Sequence, residues 1–457
     1  MNAGPTGQPD RSDTLAGAQA RNAYSHALGL SGLALVNFLL LYLVNIALAR
    51  KLPLADFDDY SVALSIITVL STVATLGLEK YALRCIPVYW ERGDWGAIRG
   101  FWRFSLATIT VFSCGLAACL SLSLEFVLAS RGADAHAAVV MLAAFLPVIA
   151  AALFLVEVAT AAGAQIQAVV IYRFVLPAGF FVLIHAADQF DLLNSAISVA
   201  LCYGLSWLLA LTAVYHLSYH SLAPDVRHAR PTVLGAKWLG RSAPFLVNSG
   251  MLSVIASSGV IALELLFTSE SVVGTYAVAA QTGTFIVLLA NTTNRFYLPP
   301  ISLYIERRDW LEMQRLMRHR LAVVGGLAAA FLAAIALYGE VVLGWFGPDF
   351  RDAYPALCVL SVGAAINALF SDSPYFLQFL KQERTVFLTT GLGLVLNLVL
   401  TVLLALRFGA LGAAWGYTVG MGVLFLAQRL AMGRQLEIHW RQAAAATGAS
   451  QGAVERS

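Results

Sequence analysis

Apolar residues in this chain neither alternate with polar ones nor form a narrow stripe at helical spacing. They come instead in unbroken runs of about 20 residues, each long enough at 1.5 Å rise per residue to cross a hydrocarbon layer of ~30 Å. Reading the runs in order predicts twelve spans, at 25–49, 60–78, 104–124, 137–161, 168–186, 195–217, 242–267, 273–291, 321–337, 354–377, 386–406 and 410–430. A backbone in lipid must satisfy its own N–H and C=O groups, so such runs form helices unless the pattern alternates as in a barrel. The pattern predicts an all-α integral membrane protein. Polar stretches divide it into a leader (1–24), an N-terminal six-helix bundle (25–217), a linker (218–241), a C-terminal six-helix bundle (242–432) and a tail (433–457). The tail is rich in Ala, Gly, Gln and Ser and is expected to be disordered.

Composition agrees: 59% of the 457 residues are hydrophobic and only 12% are charged, about half the charge of a soluble domain. The placement of charge sets the orientation. Of 29 Lys and Arg residues, only Arg50, Lys51, Arg131, Arg351 and Arg407 fall on the side of the odd-to-even loops, which also carries eleven acids. The leader, the even-to-odd loops and the tail hold the rest. By the positive-inside rule both termini are cytoplasmic. The net charge of +3 is too small to indicate a nucleic-acid partner. Five scattered cysteines form neither a CxxC pair nor a disulfide framework.

The sequence also repeats. Tyr89-Trp90-Glu91-Arg92-Gly93-Asp94-Trp95 follows the second span, and Tyr304-Ile305-Glu306-Arg307-Arg308-Asp309-Trp310 follows the eighth, identical at five of seven positions. Interfacial loops do converge on Trp, Tyr and charge, but duplication of a six-helix unit explains both the match and its place. Six is even, so the halves share an orientation, which is the parallel-repeat class of transporter. The same shift lays Lys80 over Arg295 and Arg21 over Lys237, with Arg84 and Arg241 one turn along. These six cations would ring the ends of the first, second, seventh and eighth spans and hold an anionic headgroup such as a diphosphate. They also read as ordinary positive-inside anchors.

Ionisable groups inside spans default to function. Glu264 in the seventh span and Asp372 in the tenth, two residues before the helix-breaking Pro374, are the candidates for ion coupling. Glu157 and Arg173 lie at similar depth across a short hairpin and are expected to pair with each other. Asn37, Asn45 and Asn248 are candidates for sugar contacts or for bonds between helices. No phosphate-binding GxxxxGK[ST] loop, HExxH or GxSxG motif is present, and the eight histidines are scattered. No catalytic residue, metal or cofactor is assigned. The short external loops count against a membrane-embedded glycosyltransferase or polymerase.

Several segments resemble a known family. Ala49-Arg50-Lys51-Leu52 with Phe57, Tyr60 and Ser65, then Gly77-Leu78-Glu79 and Arg84-Cys85-Ile86-Pro87, are similar to the first two spans of Wzx-type polysaccharide flippases. Asn397-Leu398 and Gly409-Ala410-Leu411-Gly412-Ala413-Ala414 resemble their last hairpin. That family is a branch of the multidrug/oligosaccharidyl-lipid/polysaccharide exporter superfamily, and the similarity runs over residues 20–430. Asp58 departs from it, since the family often has Gly after the Phe. The resemblance implies a V-shaped chamber lined by the first, second, seventh and eighth spans. It implies a bacterial inner-membrane protein whose cargo is a polyprenyl-diphosphate-linked oligosaccharide. Membrane lipids and other polysaccharide assembly proteins would be its partners. A multidrug antiporter of the same superfamily is the alternative, although its cargoes are usually cationic. Twelve spans count against a lipid II flippase, which usually carries fourteen.

Overall fold

The computed structural model describes residues 32–127, 133–267, 272–307 and 309–454, and among these every regular element is helical. The first span is α1 (Gly32–Lys51). The second is broken into α2 (Leu54–Ala74) and α3 (Leu78–Glu91). Leu76 (φ 54) and Gly77 (φ 68) turn the chain between them. Glycine is required here twice over: its φ is left-handed, and an added Cβ would lie 2.5 Å from the backbone N of Leu246. The third span is α4 (Trp95–Val127), and the fourth is α5 (Ala133–Ala144) with α6 (Leu146–Ala161). These last two meet at a 44° bend beside Pro147, which has no N–H to continue the ladder.

The fifth span holds α7 (Gln165–Val170), a π-turn (Ile171–Val175) and α8 (Leu176–Gln189), and the sixth is α9 (Ala196–Ser221). A short α10 (Pro224–His228) follows, and then the seventh span, α11 (Gly235–Leu266). The eighth combines α12 (Val272–Gly283) and α13 (Phe285–Arg307), and the ninth is α14 (Trp310–Gly344). The tenth is a 3-10 turn (Pro348–Ala353), α15 (Tyr354–Phe370) and α16 (Ser373–Phe379). The break between α15 and α16 falls where Pro374 requires it.

The final helical segment, α17 (Glu383–Val454), is two helices joined at Gly409 (φ 59, ψ −136). Cβ atoms built on Gly412, Gly416 and Gly420 would strike Leu404, Thr401 and Asn397 respectively. The paired numbers fall on one limb as they rise on the other, so the limbs are antiparallel and cross twice. Ten helices among the described residues are long and apolar enough to span a membrane, eleven with the bent pair at α5–α6. Counting α17 as a hairpin gives twelve. The second limb continues as helix to Val454, through the segment expected to be disordered.

The duplication is visible in the packing. The fourth span (α6) sits at the centre of the first half, against α2, α3, α4 and α9. Its counterpart six spans later, α15, packs against α12, α13, α14 and α17. The repeated loop motif has one job in both halves. The N–H of Asp94 bonds to the carbonyl of Tyr89 at 3.0 Å, and that of Asp309 to Tyr304 at 2.9 Å. Each Asp carboxylate then caps the next helix, accepting from the N–H of Ala97 at 3.0 Å and of Glu312 at 3.3 Å. Trp95 and Trp310 open the helices that follow.

Candidate substrate cavity

The halves touch mainly through α2 against α11 and α12 and through α3 against α11. Near the face poor in Lys and Arg the seam is closed. Tyr42 and Thr282 share a hydrogen bond of 2.9 Å, and the Asn45 amide donates to Gln281 Oε1 at 2.7 Å. Arg50 Nε donates to the carbonyl of Trp345 at 2.6 Å. Phe57 meets Phe350 edge-on, with ring centroids 5.6 Å apart. Asp58, 4% exposed, accepts from the N–H of Gly274 at 2.8 Å. That places a carboxylate at the first turn of α12, where the helix dipole favours it.

Toward the basic face the halves part around a cavity of about 1060 Å³, at or above the upper size of small-molecule sites. One wall comes from the second, fourth and fifth spans, and the other from the seventh, eighth and tenth. Thr72, Thr160, Ser249, Asn291 and Asn294 give it hydroxyl and amide groups, and Glu79, Lys80, Glu157 and Arg173 give it charge. The π-turn shapes the fifth-span wall. Pro177 has no N–H for the carbonyl of residue 173, so the helix widens by one residue, and the N–H of Leu176 reaches back to Ile171. The widened turn presents both Tyr172 and Arg173 to the cavity.

The structure draws together only part of the expected cation ring. Lys80 lines the cavity, but its ammonium is held by Glu157 Oε1 at 2.5 Å. Glu157 therefore pairs with Lys80, where Arg173 was the expected partner; Lys80 reaches it because α3 continues the second span beyond its break. Arg84 is exposed, with its guanidinium 5.6 Å from the centroid of Phe245. Lys237 and Arg241 are exposed on the first turns of α11 and do not line the cavity. Arg21 and the side chain of Arg295 lie outside the described residues. No described residue of the first span lines the cavity; α1 instead seals the seam against α12 and α13 through Tyr42, Asn45 and Phe38. The expected four-span lining is thereby widened to include the fourth, fifth and tenth spans, while the start of the first span, residues 25–31, lies outside the described residues.

The remaining candidates lie elsewhere. Asn37 and Asn248 are half-buried on α1 and α11. Glu264 is 5% exposed near the opposite end of α11 from the cavity. Asp372 forms a buried ion pair with Arg320 at 3.2 Å. Sequence reasoning missed Arg320 because it precedes an apolar run and reads as an interfacial anchor. Its guanidinium is 1% exposed and donates to Asn294 Oδ1 (2.8 Å), Ser371 Oγ (2.9 Å) and the carbonyls of Leu369 (3.0 Å) and Ala368 (3.4 Å). It thereby satisfies carbonyls freed at the end of α15. Glu79, 7% exposed and flanking Lys80, was also missed as a cavity residue.

A twelve-span helical protein in two like-oriented halves, closed at one face and hollow at the other, has the architecture of membrane transporters that rock about a central site. The profile of the polysaccharide biosynthesis protein family matches residues 25–303, and the chain belongs to that family. Among relatives, the probable low-salt glycan biosynthesis flippase Agl15 of Haloferax volcanii is 24% identical over 182 residues, 38% of this chain and 39% of that protein. The probable flippase AglR of the same organism is 29% identical over 157 residues, 32% of each chain. The match thus spans about a third to two fifths of the length of these relatives. Among solved structures, an inward-facing multidrug resistance MATE family transporter of the MOP superfamily aligns with TM-score 0.68 and 14% identity, over 87% of this chain and 96% of that one. The lipid II flippase MurJ in an inward closed conformation aligns with TM-score 0.68 and 11% identity, over 88% of this chain and 87% of that one. At these identities the likeness is one of fold.

Proposed function

We propose that this protein is a flippase that moves a polyprenyl-diphosphate-linked oligosaccharide across the bacterial inner membrane by alternating access, for surface or exopolysaccharide assembly. The observation that carries the reading is the cavity of about 1060 Å³ between the halves, open toward the basic face and sealed toward the acidic one. Under the positive-inside rule the basic face is cytoplasmic, as are both termini, so the cavity opens where lipid-linked glycans are built. A glycan headgroup cannot cross hydrocarbon with its hydroxyls unsatisfied. The threonine, serine and asparagine side chains offer them partners, and Arg173 and Lys80 offer charge to a diphosphate. The prenyl tail stays in lipid throughout. Transport requires no bond to be made or broken, so no residue is assigned a catalytic step.

Purified protein in vesicles should carry a fluorescent polyprenyl-diphosphate oligosaccharide from the outer to the inner leaflet, measured by its loss of accessibility to a membrane-impermeant quencher. Equal rates in protein-free vesicles would refute the reading. A cation antiporter is the second reading, favoured by Glu79 and Glu157 in the same cavity. Uptake of a lipophilic cation with no glycan flipping would establish it.

A further inference from the structure

Counting cations on the basic face predicts a positive chamber, but among the described residues the cavity lining is charge-balanced. Among the described lining residues the charged groups are Glu79 and Lys80 on α3, Glu157 on α6 and Arg173 on the π-turn. Tyr172 and Tyr375 are the other titratable groups there, and the seventh- and eighth-span walls contribute Ser249, Asn291 and Asn294. Arg320 reaches the wall only through Asn294 and has Asp372 as its own counter-ion. Lys80 is engaged by Glu157, whose side chain is 21% exposed. Glu79 is more deeply buried, and its Oε2 accepts no hydrogen bond.

This balance constrains an anionic cargo. A phosphate group carries about −1.5 to −2 charge near neutral pH. To reach Lys80 it must displace a carboxylate that already fills the position. The displaced Glu157 would then face the phosphate and Glu79, two like charges. Two anions brought this close repel, and a proton taken up by Glu157 relieves that repulsion.

We propose that Glu157 occupies the anion position of this cavity, and that an anionic headgroup replaces it on Lys80 only as Glu157 takes up a proton. This rests on the flippase reading above and adds to it a link between cargo and proton. The proton comes from water on the open side and ends on the Glu157 carboxylate. Lys80 remains an ammonium, and no bond of the headgroup changes. Linkage is reciprocal, so cargo binding tightens as pH falls, by up to about tenfold per pH unit for one linked proton.

The test uses the full chain in nanodiscs with geranylgeranyl diphosphate as probe, titrated calorimetrically in buffers of different ionisation enthalpy to count protons. The phosphates themselves titrate near pH 6, a contribution shared by all variants. Wild type is expected to take up about one proton more than Glu157→Gln. Glu157→Gln is expected to bind more tightly above pH 7, because its Lys80 is unclaimed. Equal proton uptake by the two, with both binding, overturns the exchange while the flippase reading stands. No binding by either at any pH overturns the flippase reading itself. Should Glu157→Gln fail to fold, infrared difference spectra of wild type on adding the probe report the same step. A new protonated-carboxyl band is expected, and its absence overturns the exchange.

Discussion

Replacing Asp58 with alanine removes a buried side-chain acceptor that joins the two halves at their closed end. Asp58 sits on α2 and accepts from the N–H of Gly274 at the start of α12, across the seam, at 2.8 Å. A hydrogen bond contributes about 0.5–1.5 kcal/mol net, and removing the acceptor while the seam stays closed leaves the N–H of Gly274 unsatisfied at a cost of about 1–3 kcal/mol. Against this, the carboxylate is 4% exposed and its Oδ2 accepts no hydrogen bond. Opening the seam to water would restore that lost hydration. Taking about 2 kcal/mol as the net bias toward closure, its loss changes the closed-to-open ratio by about 30-fold. Asp58→Asn keeps an acceptor of the same shape without its charge and should fall between wild type and alanine. The populations can be read by electron–electron double resonance between spin labels at Leu192 and Glu340, exposed positions on the two halves near this face. The exposed Cys114 and Cys119 must first be replaced. A distance distribution in Asp58→Ala that matches wild type would refute the latch, because a 30-fold change cannot hide unless the open state was negligible. Repeating the measurement with Tyr42→Phe, which removes the bond to Thr282, closes that escape, since the two losses together must expose an open population if these bonds hold the seam.

Three further outcomes follow from packing. Arg320→Met strands the buried Asp372 and frees the carbonyls ending α15, and should destabilise the protein by about 3–5 kcal/mol. The double variant Arg320→Met/Asp372→Leu should recover much of that loss, as thermal denaturation in detergent would show; if the double is as unstable as the single, the ion pair is not what Arg320 supports. Gly416→Leu places its Cβ 2.4 Å from the backbone N of Thr401, so the limbs of α17 must separate. Its melting temperature should fall far more than that of Gly433→Leu, where a Cβ meets nothing within 4 Å. Asp94→Ala and Asp309→Ala each remove one helix cap and should each cost about 1 kcal/mol. A clear inequality between them would argue that the repeated motif does different work in the two halves.

What could be read from the chain without its structure divides along a physical line. Spans are local: whether 20 residues can cross a bilayer depends on those residues alone, and the twelve runs and the duplication were legible for that reason. Boundaries were less so. The second and eighth spans extend well past their apolar runs, as α3 to Glu91 and α13 to Arg307, because these polar extensions face the cavity and the basic face and have no need to be apolar. The π-turn left a usable signal, a proline at 177 four residues after Arg173, in the place where a backbone carbonyl loses its partner.

Charges are different, because what a cation does depends on what stands opposite. Positive-inside counting treats every Lys and Arg on one face as alike. In the structure they separate into Lys80, claimed by Glu157; Arg320, buried against Asp372 as a helix-end clamp; and Arg84, Lys237 and Arg241, which are exposed and not among the cavity's lining residues. No pairwise spacing in the sequence distinguishes these, since Lys80 and Glu157 are brought together only because α6 is the central helix against which α3 packs. The consequence bears on mechanism. A cavity with unpaired cations would bind its anionic cargo tightly and release it poorly, because the same charges would follow it through the transition. A cavity that carries its own carboxylate has a competitor in place to retake Lys80 once the face it opens onto is reversed. On this argument Glu157→Gln should bind cargo better and flip it more slowly, with wild-type flipping rates faster than those of the tighter-binding variant.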